Sequence, residues 1–270
     1  MPWNYFWEKS LSKLYKDKNK TKCILNKLKS YFITDALKRL SAKNEINDYA
    51  VMLKNSNQRL WLLHERLEKI RHDIKENYKS YDYGNGYYYQ SMKSINISGY
   101  RDTEDRIKQL DLMDRLKGKS ILDIGSNTGF LLLSLGDSLK EGVGVELNQY
   151  LVETSDEVKK YTGLRNIDFI SSSFEDYNPS NKKFDVILSL ANHSTFDGNT
   201  KQSLEDYFKK ISTLLSNNGK LIFESHPPQI EPVEKLEKTL ALISKYFEIE
   251  DKPIIAMKGF LDKNRTYVVG

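Results

Sequence analysis

The spacing of apolar positions changes along this chain and divides it into three parts. Leu60, Leu63, Leu67, Ile70 and Ile74 recur at alternating intervals of three and four, which places them on one stripe of a helix. Glu65, Arg66, Glu68, Lys69 and Arg71 fill the positions between them, so the other face is polar. From residue 118 onward the pattern becomes short apolar runs alternating with helical stretches. Ser120–Ile124 is one such run; it leads into a glycine-bounded loop, after which Phe130–Leu135 continues as a helix. Gly142–Val145 is the next run and ends in Glu146. Ile167–Ile170 and Phe184–Ser189 predict strands three and four. A helix is expected over about 201–215, a turn at Asn217-Asn218-Gly219, a strand at Lys220–Glu224 and a helix over about 232–247. Two closing strands follow, over about 248–256 and 265–269. Strands alternating with helices predict an α/β fold with a mostly parallel sheet.

Residues 81–117 fit neither period. Tyr81-Asp82-Tyr83-Gly84-Asn85-Gly86-Tyr87-Tyr88-Tyr89 sets five tyrosines around two glycines, which is either a packed linker or a lid over a substrate. Asp102 or Thr103 is suited to cap a helix running to about Leu116. The organisation is therefore a helical region over 1–80, a tyrosine-rich lid and lead-in helix over 81–117, and an α/β domain over 118–270.

Charge separates the first part from the rest. Residues 1–80 carry 18 Lys and Arg against 9 Asp and Glu, whereas the remainder carries 24 against 28. At the start Trp3, Phe6, Trp7, Leu11 and Leu14 share a helical face, closely followed by Lys9, Lys13, Lys16, Lys18 and Lys20. Such a segment can lie in an anionic membrane surface, dock on the domain by its aromatics, or attract nucleic acid. Aromatics followed by lysines are the reverse of a signal peptide, and no apolar run is long enough to span a bilayer. A cytoplasmic protein, with peripheral membrane association as an option, is the expectation. Cys23 is the single cysteine, which excludes an intrachain disulfide and a cysteine-rich metal site, and no metal is expected.

The chemistry concentrates around Asp123-Ile124-Gly125-Ser126-Asn127-Thr128-Gly129 and Glu146. In a parallel α/β unit both acids stand at carboxyl ends of neighbouring strands, where such folds bind ligands. Glu146 can accept two hydrogen bonds from a ribose diol. A dinucleotide loop needs a second glycine to admit pyrophosphate, and Asn127 stands there instead. The segment resembles motif I of the class I S-adenosylmethionine-dependent methyltransferases, and the resemblance covers about residues 118–270. It implies a seven-stranded, mostly parallel Rossmann-like methyltransferase sheet with an N-terminal helical extension, and S-adenosyl-L-methionine as cofactor. It also implies that Asp123, Gly125, Asn127, Gly129 and Glu146 contact that cofactor, with Ser173 and Phe174 at the adenine and Ser189 on strand four.

Tyr89-Gln90-Ser91 and Gly99-Tyr100-Arg101-Asp102-Thr103-Glu104-Asp105-Arg106 resemble a bacterial subgroup of this family, some members of which modify sugars or phosphate groups of surface polysaccharides. Arg101 is then expected at the methionine carboxylate, and Tyr89, Gln90 and Arg106 at the acceptor; a surface ion-pair role for the arginines is the alternative. Strand four ends Ser189-Leu190-Ala191-Asn192-His193-Ser194 and lacks the [DNS]-P-P-[YFW] motif used to methylate nucleobase or glutamine amines. His193 is the base candidate for an alcohol, the alternative being that it closes the loop. Asn192 and His226 complete the expected acceptor side. The ends of strands four and five also resemble those of RNA methyl-phosphate-capping enzymes, so a phosphate acceptor served by arginine and histidine is a further option. The expected activity is methyl transfer to an oxygen of a carbohydrate, phosphosugar or related small molecule. RNA or protein, recruited by the basic N-terminal region, is the alternative.

Overall fold

The computed structural model describes residues 38–48, 50–51, 57–80, 82–84, 86–194, 201–228, 230–250, 254–255 and 265–270. The aromatic and basic start of the chain, and with it the membrane and nucleic-acid readings, lies outside the described residues. No helix among them is long and apolar enough to cross a membrane.

Helix α1, Gln58–Asn77, opens with the Asn57 side chain accepting from the Leu60 amide and carries the predicted apolar stripe. Its buried residues Leu60, Leu63, Leu67 and Ile70 are those the three-four spacing selects, joined by His64. The lead-in helix is shorter than expected. α2 spans Thr103–Gln109, capped by Asp102, and α3 spans Leu112–Leu116. Asp111, in the left-handed region at φ 52°, breaks the helix between them.

The rest alternates as predicted. The strands and helices are β1 Ser120–Ile124, α4 Phe130–Leu135, β2 Glu141–Glu146, α5 Gln149–Thr162, β3 Ile167–Ser171, β4 Phe184–Leu190, α6 Leu204–Leu214, β5 Leu215–Glu224, α7 Val233–Tyr246, β6 Ile254–Ile255 and β7 Arg265–Val269. The sheet order is β3-β2-β1-β4-β5-β7-β6. The first six form a continuous ladder in which only β7 runs antiparallel to its neighbour; the seventh, two-residue strand pairs with the edge of β7. One expectation changes at β5. Asn217-Asn218-Gly219 is not a turn between helix and strand but lies inside the strand, where the pairing with β4 shifts register.

Helices cover both faces. Leu122, Ile124, Phe184, Ile187 and Phe223 meet Phe208, Ile211, Leu240 and Ile243 of α6 and α7 on one face. Ile121, Val186, Leu188 and Tyr267 meet Ile107, Leu112, Leu116 and Leu131 on the other. A third cluster joins the three parts of the chain: Leu60, Leu63 and Leu67 of α1, Tyr87, Tyr88, Met92, Ile95 and Ile97, and Phe130, Leu133 and Val158. Chain direction across the sheet reverses between β1 and β4, which opens a crevice at their carboxyl ends.

Candidate active site

A cleft of about 180 Å³ occupies that crevice. Asp123, Gly125 and Asn127 border it from β1 and the following loop, and Glu146 and Asn148 from β2. Ser173 and Phe174 follow β3, Ala191 and Asn192 follow β4, and Tyr83, Tyr89, Gln90 and Arg106 close it from the lead-in segment. Tyr207 of α6 reaches in from beneath.

Backbone conformation explains the loop. Gly125, Asn127 and Gly129 all have positive φ, 65°, 54° and 67°. A Cβ on Gly129 would come within 2.3 Å of the Phe169 ring, so only glycine fits there. Glycine at this helix start brings no capping side chain; Gln90 supplies the cap instead, its Oε1 accepting from the Phe130 amide at 2.9 Å. Gln90 Nε2 donates to the Ser126 carbonyl, so one buried amide from the lead-in segment braces both ends of the loop. Glu146 accepts from the Asn127 amide at 3.0 Å and the Asn148 amide at 2.9 Å, which holds its carboxylate across the cleft mouth.

Asp123 is buried below the loop. Burial pushes its carboxyl up to about 7, Arg106 pulls it down and Glu146 adds to the rise. Ser126 Oγ and Asn127 Oδ1 are buried without a protein hydrogen-bond partner, and Asn127 borders the cleft. Acids at two adjacent strand ends, an open glycine loop and orphaned polar atoms fit a ligand that carries a ribose diol and a cationic, hydrogen-bonding tail.

Residues 115–259, more than half of the chain, match the family described as Methyltransferase domain. The chain belongs to that family. Among solved structures, the N-methyltransferase NodS of Bradyrhizobium japonicum in complex with S-adenosyl-L-homocysteine shares its fold at 12% identity, with a TM-score of 0.51 over 63% of this chain and 87% of that one. A Pyrococcus horikoshii protein does so at 19% identity and a TM-score of 0.51, over 63% and 93%. Of curated proteins, the release factor glutamine methyltransferase of Fusobacterium nucleatum is 27% identical over 191 residues, 60% of this chain and 54% of that one. The putative protein N5-glutamine methyltransferase of Methanocaldococcus jannaschii is 34% identical over 90 residues, 33% and 44%. The chain thus spans about half the length of the curated relatives it matches.

The remaining site expectations distribute as follows. Ser173 and Phe174 border the cleft as the family pattern implies, though the Ser173 hydroxyl already bonds Asp176 at 2.6 Å. Ser189 is buried beneath the cleft and reaches it through Asn192 and Tyr207. Arg106 borders the cleft, whereas Arg101 packs over the Tyr89 ring and approaches Glu224 at 3.8 Å. His193 does not border it. Ala191 at φ 56° turns the chain after β4, so Asn192 takes the cleft side and His193 points into the protein. The His193 side chain is fully buried, its Nε2 3.1 Å from Glu231, its ring tilted against those of Phe223 and His226. His226 is likewise buried, and burial together with His193 lowers it to about 4. Of the five tyrosines, Tyr83 and Tyr89 border the cleft, Tyr87 and Tyr88 belong to the core, and Tyr81 lies outside the described residues. The segment is therefore linker and wall at once.

Sequence reading missed Tyr207 and Glu224. Tyr207 reads as one more apolar position of an amphipathic helix. Glu224 could have been found, because it repeats the signal that marked Asp123 and Glu146: an acid closing a buried strand.

Proposed function

We propose that the protein is an S-adenosylmethionine-dependent methyltransferase that acts on an oxygen of a carbohydrate, phosphosugar or related small molecule. The orientation of Asn192 carries this reading. Its Nδ2 donates to the Ile124 carbonyl, which can only accept, so the side-chain amide has one permitted flip. Oδ1 is thereby turned to Ser189 Oγ at 2.9 Å and to Tyr207 OH at 3.0 Å. An enzyme that methylates an amide or ring amine needs a free carbonyl at this strand end to accept the amine N–H. Here the carbonyl is taken twice and the amide nitrogen lies against Gly125, so the group beside the cleft is a donor, matched to an acceptor oxygen.

S-adenosylmethionine, when bound, supplies an already activated methyl group. Asp123 and Glu146 orient its polar ends, and Tyr83 and Tyr89 offer flat faces on which a sugar ring can lie. Holding the acceptor oxygen in line with the methyl is the main catalytic task, worth on the order of 7–11 kcal/mol in favourable cases. The oxygen would gain the methyl as the methyl–sulfur bond of the sulfonium breaks, leaving S-adenosylhomocysteine, and its proton, where it carries one, would pass to solvent. A base role for His193 is not supported by its inward position.

The second reading is a protein acceptor, and the two glutamine methyltransferase relatives favour it. The test incubates full-length protein with radiolabelled S-adenosylmethionine and separate sugar, sugar-phosphate, RNA and protein pools. Label is expected in the sugar or sugar-phosphate pools. Label confined to protein, recovered as methylated glutamine after exhaustive proteolytic digestion, would overturn the oxygen assignment in favour of the second reading.

A further inference from the structure

Three arginines, two from the lead-in segment and one from β7, converge on one carboxylate. Arg106 of α2 donates to Glu224 Oε2 at 2.5 Å, Arg265 at the start of β7 donates to Oε1, and Arg101 lies 3.8 Å from Oε1. The Glu224 side chain is fully buried, and those of Arg106, Arg265 and Arg101 are only 7%, 7% and 15% exposed. Among the described residues no other carboxylate lies within ion-pair distance of these guanidiniums. Arginine stays protonated in proteins, so one negative charge faces three positive ones in a desolvated place. Buried cations without matching anions are costly, and a bound anion would offset that cost. Asp123 also interacts with Arg106; even when ionised it brings the acids to two against three arginines.

Two further observations point to a ligand. The Nε atoms of Arg106 and Arg101 are buried and unpartnered, although neighbouring hydrogen-bond donors of a guanidinium are normally satisfied. Arg106 also borders the cleft itself. The position of the cluster identifies which reactant it faces. Arg106 reaches back to the cleft beside Asp123. Glu224 closes β5 and Arg265 opens β7, so these two stand beyond β4, on the far side of it from Glu146. That is the side left for the acceptor once the ribose and the cofactor loop are placed over β1 and β2.

We infer that this arginine cluster binds an anionic group of the acceptor, a phosphate or a carboxylate, so that the substrate is an anionic small molecule rather than a neutral alcohol. The inference rests on the oxygen-acceptor reading above and narrows it. A charged group held here fixes one end of the acceptor and leaves the other beneath Asn192, and it explains how an enzyme without a cleft-facing histidine binds its substrate in register.

The test is calorimetric titration of the full-length protein saturated with S-adenosylhomocysteine, using inorganic phosphate, glucose 1-phosphate and glucose as probes. Phosphate and glucose 1-phosphate are expected to bind, and glucose is not. Arg101→Gln is expected to weaken phosphate binding about tenfold or more, Arg101→Lys less, with S-adenosylhomocysteine affinity unchanged in both. Absence of phosphate binding to the unaltered protein would overturn the inference, whether or not the variants fold. So would an Arg101→Gln variant that loses affinity for S-adenosylhomocysteine while keeping it for 5′-methylthioadenosine, which lacks the carboxylate, because the cluster would then serve the cofactor. Transfer of label to an alcohol by a protein that ignores phosphate would sink this inference alone and leave the oxygen acceptor standing.

Discussion

Asp123 shows how a single residue is held at odds with folding in order to bind. Burial raises its carboxyl to about 7 against the pull of Arg106, whereas in the unfolded chain it titrates near 4. Between those values the folded chain binds the proton more tightly than the unfolded chain, so this residue's contribution to stability falls as pH rises from about 4 to about 7. Asp123→Asn removes the ionisation while keeping the shape. It is expected to raise the melting temperature of the cofactor-free protein above neutral pH and to weaken S-adenosylhomocysteine binding there. Thermal melts and titrations over a pH series measure both; a variant that melts lower at alkaline pH would show that the ionised carboxylate stabilises the fold instead.

At the scale of elements, the lead-in segment does more than connect. Ser91 accepts from the Thr103 amide, Gln90 and Arg101 pair as backbone neighbours, and the Gln90 side chain then reaches across to the loop after β1. Helix α4 begins at a glycine, and its first amide depends on a residue forty positions upstream. Gln90→Ala would strand the Phe130 amide and the Ser126 carbonyl in a buried place, at a cost of about 1–3 kcal/mol. Urea denaturation is expected to show that loss, and S-adenosylhomocysteine affinity is expected to fall with it because the loop is no longer braced. Unaltered affinity in the variant would mean that Glu146 alone holds the loop.

At the scale of the whole molecule, helix α1 packs into a hydrophobic cluster shared with the α/β domain. It lies along α5, where Arg59 donates to the Tyr161 carbonyl and Arg66 pairs with Glu157 at 3.2 Å. Its apolar stripe shares a cluster with Phe130 of α4, next to the cofactor loop. Leu67 is 1% exposed in that cluster. Leu67→Ala should destabilise the entire chain by about 2–5 kcal/mol in a single transition. Two separate transitions in denaturant, the first lost in the variant, would instead make the N-terminal helices an independent unit.

What the amino-acid sequence determined by itself was local or periodic. A two-state alternation of strand and helix, a glycine loop with Asp123 before it, Glu146 at the next strand end and the three-four stripe of α1 all follow from steric and hydrophobic rules acting within a few residues. The missing Pro-Pro motif after strand four was legible in the same way. Only the tertiary structure decided which side chains share a site. The inward turn of His193 depends on the left-handed Ala191, an alanine that nothing local marks for that conformation. The break at Asp111 and the strand running through Asn217-Asn218-Gly219 answer to packing and pairing with distant elements, which override local propensity. Arg101, Arg106 and Arg265 look like surface charges until the sheet places the ends of β5 and β7 together and brings all three to Glu224. Charge balance in a desolvated space is a property of that convergence, so it becomes visible when the chain is folded.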